Sequence, residues 1–91
     1  MEFDIKEIEK DAPLPLYYQL KAIIKNQIEE GKLKPDEPIP SERDLMDMYN
    51  ISRTPVRQAI NELVVEGLLR REHGKGTFVA SKKISQSFWR I

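Results

Sequence analysis

Cysteine is absent from this chain of 91 residues, and histidine occurs once, as His73. Without cysteine there is no disulfide framework and no thiolate metal site, and one imidazole cannot build a zinc centre by itself. The lack of cysteine fits a cytosolic protein. Long apolar runs are also missing: none approaches the ~20 residues of a membrane span. The start, Met1 to Glu7, has no signal-peptide pattern. The expected location is therefore cytoplasmic, with no membrane partner. Net charge is lacking as well, with 15 Lys and Arg against 15 Asp and Glu. That balance argues against an indiscriminate nucleic-acid binder. No paired-carboxylate, triad, metal or phosphate-loop pattern occurs. We expect no enzyme, no cofactor and no metal. A chain this short buries one modest core.

What is present is uneven charge and strong punctuation. Near the start, Glu2, Asp4, Glu7, Glu9 and Asp11 outnumber Lys6 and Lys10. Near the end, Arg70, Arg71, Lys75, Lys82 and Lys83 outnumber Glu72. A neutral protein can still present a basic face. Residues 1–12 read as a flexible arm or a marginal helical turn. Pro13 and Pro15 then launch a helix. Leu16, Tyr17, Leu20, Ile23, Ile24 and Ile28 form its amphipathic stripe, and Gly31 ends it. Lys32 to Pro40 holds Pro35, Pro38 and Pro40 and reads as a loop, with Ile39 in a short bridge.

Residues 41–57 are the most informative stretch. Ser41 is placed as an N-cap, with Asp44 where a capping-box carboxylate can reach back. Leu45 and Met48 follow at helical spacing. Asn50 can take the left-handed conformation that ends a helix. Ser52 reads as a second N-cap, and Pro55 is tolerated in the first turn. The second helix runs to about Glu66, with Val56, Ile60, Leu63 and Val64 inward and Gly67 as its stop. This is a helix-turn-helix pattern, whose second helix enters the DNA major groove. Arg53 and Arg57 share a face at its leading end. Residues 68–71 and 77–80 then bracket a Gly-containing turn as a hairpin. The expected fold is mainly α with a small β-hairpin, a winged helix-turn-helix spanning 13–80. Residues 81–91 carry Ile84, Phe88, Trp89 and Ile91. They read either as a linker toward a further domain or as a tail folded back on this one.

Pro40-Ser41-Glu42-Arg43-Asp44-Leu45, Ser52 to Ile60, Leu63, Glu66-Gly67-Leu68-Leu69 and Gly74 to Val79 resemble, in order and spacing, the GntR family of bacterial transcription regulators. Pro15-Leu16-Tyr17-Tyr18-Gln19-Leu20 is similar to the opening of its HutC-like branch. The resemblance implies operator contacts from Arg43, from Arg53 and Arg57, and from His73, Gly74 and Lys75 at the wing tip. It implies a homodimer on a palindromic operator in the full-length protein. It also implies a small-molecule effector bound only on a second domain, beyond this sequence. Pro55 departs from the family, which often has threonine or another polar residue there.

Each candidate has a plainer reading. Arg43 could simply pair with Asp47 on a solvated face. Arg53 and Arg57 could be ordinary helix-surface charge; as DNA contacts they could read guanine or hold phosphate. Ser41, Ser52 and Thr54 are caps first, with hydroxyls able to touch phosphate. Gly74 and Gly76 are turn glycines, and they also allow a close approach to a minor groove where Lys75 or His73 reaches in. Tyr17, Tyr18 and Tyr49 fit core or flank better than stacking platforms. Glu72 should point away from phosphate. The expected function is sequence-specific binding of double-stranded DNA, as the reading head of a metabolite-responsive repressor. The competing reading is a winged-helix protein-interaction module without DNA binding, supported by zero net charge and by Phe88 and Trp89.

Overall fold

The computed structural model describes residue 3 and residues 6–81. Residues 82–91, and with them Lys82, Lys83 and most of the expected linker, lie outside the described residues. The element order is α1 (Leu16–Glu29), α2 (Glu42–Tyr49), α3 (Arg53–Val65), β1 (Leu69–Glu72) and β2 (Gly76–Val79). That is the expected winged helix-turn-helix.

All three helices close by one device. Beyond α1, Lys32 N–H reaches back to Gln27 O at 3.0 Å, with Gly31 at φ 83°. Beyond α2, Ile51 N–H reaches Met46 O at 3.2 Å, with Asn50 at φ 53°. Beyond α3, Leu68 N–H reaches Leu63 O at 2.9 Å, with Gly67 at φ 83°. Each is a left-handed C-terminal closure that satisfies an otherwise orphaned carbonyl. The residues that can adopt it at low cost, glycine and asparagine, stand where the sequence placed the stops.

The starts differ. Ser41 Oγ accepts from Asp44 N–H at 3.0 Å, as a cap should. Ser52 occupies the cap position of α3 in extended conformation, but its side chain makes no cap hydrogen bond. The reason lies in the sequence. A cap hydroxyl bonds the second or third helical N–H, and the third helical residue is Pro55, which has none.

α3 is the central helix, packed against α1, α2 and β1. It buries Val56, Ala59, Ile60 and Leu63 completely. Leu20 and Ile24 from α1, Leu45 and Tyr49 from α2, and Leu33, Ile39, Leu69 and Val79 complete the core. Val64, expected inward, packs half-buried at the margin. Met48 is exposed, and Tyr49 takes the second buried place on α2. Burial pushes the Tyr49 phenol up, and the backbone N–H of Lys6 opposes that shift from outside hydrogen-bond geometry. Lys21 lies between Glu62 and Glu66 and ties α1 to α3. The arm is tied down as well: Gln19 exchanges hydrogen bonds with the Glu9 backbone, and Lys10 Nζ donates to Asn50 O at 2.7 Å.

The hairpin pairs Leu69 with Val79, Arg70 with Phe78, Arg71 with Thr77 and Glu72 with Gly76. The proline-rich loop adds a third line of backbone. Asp36 N–H donates to Val79 O, Val79 N–H to Glu37 O, and Ile39 N–H to Thr77 O, all within 3.0 Å. The bridge itself falls on Pro38 opposite Phe78, one residue before the expected Ile39. A proline fits there because that residue needs no ladder hydrogen bond of its own: the flanking Glu37 and Ile39 supply them.

Candidate nucleic-acid interface

α3 buries one stripe and leaves the other to solvent. The exposed stripe carries Arg53, Thr54, Arg57, Gln58 and Asn61, which line a shallow groove along the helix. Arg53 is the first helical residue and makes no ion pair among the described residues. Ser52 and Thr54, exposed beside it, present hydroxyls at the helix start. With the Ser52 cap unmade, its hydroxyl is available to another partner.

Arg57 is held. Its Nη2 donates to Glu42 Oε1 at 3.1 Å, and its side chain stays about half exposed, at 55%. Glu42 Oε2 accepts from Arg71 Nη1 at 3.2 Å, and Arg71 Nη2 donates to Asn61 Oδ1 at 2.6 Å. Burial tends to raise the Glu42 carboxyl. Hydrogen bonds from Arg57 and Arg71, with their positive charge, outweigh it and hold the group below the ordinary carboxylate range. α2, α3 and the wing strand therefore meet at one carboxylate.

The wing tip is His73-Gly74-Lys75, all exposed. Lys75 N–H donates to Glu72 O at 2.9 Å to close the turn, and Gly74 takes φ 76°. A second concavity runs from Ser41 and Glu42 at the start of α2 across Arg71 to this tip. Arg43, the second residue of α2, is exposed and lines neither concavity. Its helical pair with Asp47 is not among the ion pairs of the described residues.

Arg70 and Arg71 have opposite fates, because successive strand residues face opposite sides. Arg70 lies 5.3 Å over the Phe78 ring and bonds Glu72 and Asp36, each at 2.8 Å. Glu72 is thus engaged with Arg70, and it also lines the second concavity beside the tip. Of the two arginines counted toward a basic wing, only Arg71 faces the helices. Sequence reasoning missed Glu42, Asn61 and Arg71 as members of the site. Glu42 stands within the Pro-Ser-Glu-Arg motif, but its partners are 15 and 29 residues away.

Known proteins resemble this chain in sequence and in fold. The profile described as "Bacterial regulatory proteins, gntR family" matches residues 16–79. The HTH-type transcriptional repressor NagR of Bacillus subtilis (strain 168) is 50% identical over 80 residues, covering 88% of this chain and 33% of that protein. The histidine utilization repressor of Klebsiella aerogenes is 38% identical over 82 residues, covering 90% of this chain and 34% of the relative. The chain spans about a third of the length of these curated relatives. The crystal structure of AraR(DBD) in complex with operator ORX1 is similar with a TM-score of 0.74 at 41% identity, covering 82% of this chain and 99% of that one. Fold, motif spacing and these likenesses agree: the chain belongs to the gntR family of bacterial regulatory proteins.

Proposed function

We propose that this chain binds double-stranded DNA sequence-specifically, as the reading head of a bacterial transcription repressor. The observation that carries this reading is the outer stripe of α3, where Arg53, without an ion pair among the described residues, and an oriented Arg57 stand on an exposed helix face. AraR(DBD), 41% identical, is seen with an operator, and NagR and the histidine utilization protein are named as repressors. On this reading α3 lies in the major groove, and Arg53 and Arg57 address base edges or the phosphates flanking them. Ser41, Ser52 and Thr54 offer hydroxyls at two helix starts, and Arg43 adds charge at the first of these. His73, Gly74 and Lys75 reach the adjacent minor groove, where negative potential concentrates.

The opening Pro15-Leu16-Tyr17-Tyr18-Gln19-Leu20 and the likeness to histidine utilization repressors favour the HutC-like branch. In the full-length protein we expect a homodimer on a palindromic operator, since a two-fold protein implies two-fold half-sites. The small-molecule effector then belongs to a second domain reached through residues 81–91. A cytoplasmic site of action fits; among the described residues no helix is long and apolar enough to cross a membrane.

The test is a salt titration of the chain on a duplex enriched from a randomised pool. Phosphate neutralisation makes log affinity fall linearly with log salt, by about 0.9 per phosphate contact. Failure to enrich any duplex, or an affinity indifferent to salt, would overturn the reading and favour a protein-interaction module.

The wing yields a comparison. A Cβ at Gly74 meets nothing within 4 Å, so a side chain there strains the backbone at φ 76° and crowds only what the tip approaches. Gly74→Val should therefore lose more affinity than Lys75→Ala. Lys75→Ala should reduce the salt slope by about one unit, as loss of one phosphate contact does. Titrations of both variants across the salt series decide it; parental behaviour in both would leave the wing a structural hairpin.

A further inference from the structure

The Glu42 carboxylate is out of place for a surface that meets phosphate. It adds like charge to the approach, and like charge opposes association. Helix-start preference explains an acidic residue at the first position of α2. It does not explain why the side chain turns to two other elements. Its two oxygens take one guanidinium each, Arg57 from α3 at 3.1 Å and Arg71 from β1 at 3.2 Å. Arg71 is held in turn by Asn61 at 2.6 Å, and Asn61 lies one helical turn beyond Arg57 on the same stripe. The carboxylate is 20% exposed, while Arg57 remains 55% exposed. The network thus hides the acid and leaves the arginine of α3 presented. Partly exposed ion pairs add little to stability, so fold maintenance is an incomplete account of it.

Orientation is a better one. An arginine fork discriminates guanine only when its plane meets O6 and N7 together. A freely rotating guanidinium will take any nearby phosphate, which gives affinity without sequence information. We propose that Glu42 is a specificity-determining positioning residue, which fixes Arg57 toward a base edge through the Arg71–Asn61 brace. This rests on the DNA-binding reading above.

The probes are a duplex enriched from a randomised pool by the parent chain and a scrambled duplex of equal length. Glu42→Gln keeps size and removes charge. It should bind the scrambled duplex more tightly, and the ratio of the two affinities should fall roughly tenfold, within the range set by one bidentate pair. Glu42→Asp keeps the charge at the helix start but shortens the reach, so its ratio should fall too. In an Arg57→Ala background, Glu42→Gln should no longer change the ratio. An unchanged ratio in folded Glu42→Gln overturns the proposal. So does an equal fall in the Arg57→Ala background, which would mean that Glu42 touches a base itself. If the parent enriches no duplex, the DNA-binding reading fails and this proposal with it; if it enriches one and the variant ratios match the parent's, this proposal alone fails.

Discussion

Arg57→Ala is expected to weaken binding to the enriched duplex by about 1–3 kcal/mol, while the fold stays intact. The side chain is half exposed and outside the core, so melting should shift little. Arg53→Ala should act in the same direction by a smaller amount. The difference comes from what each leaves behind. Arg53 has no ion-pair partner among the described residues, so its removal deletes one positive charge. Removing Arg57 also takes a hydrogen bond from Glu42 and leaves that carboxylate with Arg71 alone. An acid stripped of one counter-charge then faces phosphate. Binding titrations with thermal melts on both variants provide the measurement. Parental affinity in both would remove α3 as the reading element.

Leu63→Ala should destabilise the whole domain rather than impair binding selectively. Leu63 has no exposed surface, and its helix is the one that α1, α2 and β1 all pack against. Truncating a buried leucine to alanine costs about 2–5 kcal/mol, partly through the cavity that remains. A domain of this kind holds only about 5–15 kcal/mol in total, so the loss is a large share. Leu63 O also receives the Leu68 N–H that closes α3 ahead of the wing, so disorder there would spread to the hairpin. The expected result is a broad, much lowered melting transition with loss of helical circular dichroism. A variant that melts like the parent would mean the core does not close around α3.

The helices were readable because their ends are written in single residues. Gly31, Asn50 and Gly67 are the types that tolerate positive φ, and each is found there. Ladder pairing is written in backbone N–H groups that every residue shares, so the strand-like role of 36–39 left only the trace at Ile39. Leu45 is followed three and four residues later by Met48 and Tyr49. In a helix of 8 residues, periodicity cannot separate those two, and packing buried the tyrosine. Ser52 carried the right side chain for a cap, but Pro55 withheld the donor. Of the candidate residues, the structure places Arg53 and Arg57 on the outer stripe of α3 and the wing tip on the second concavity, where motif and spacing pointed, and leaves Arg43 outside both. Glu42, Arg71 and Asn61 were not legible in the sequence, because only the folded chain brings α2, β1 and α3 together.

The backbone bonds between 36–39 and β2 have a metrical consequence. Two residues after Ile39 the chain enters α2 at the Ser41 cap. The same short segment is therefore stitched to the wing at one end and anchors the helix-turn-helix at the other. The pair works as a caliper with a locked jaw. The separation between the tip at Gly74 and the start of α2 is set by ladder register, and loop slack has no part in it. A residue gained or lost between Glu37 and Ser41 would reset the opening, and with it, on the proposed reading, the distance along DNA that separates a wing contact from a helix contact.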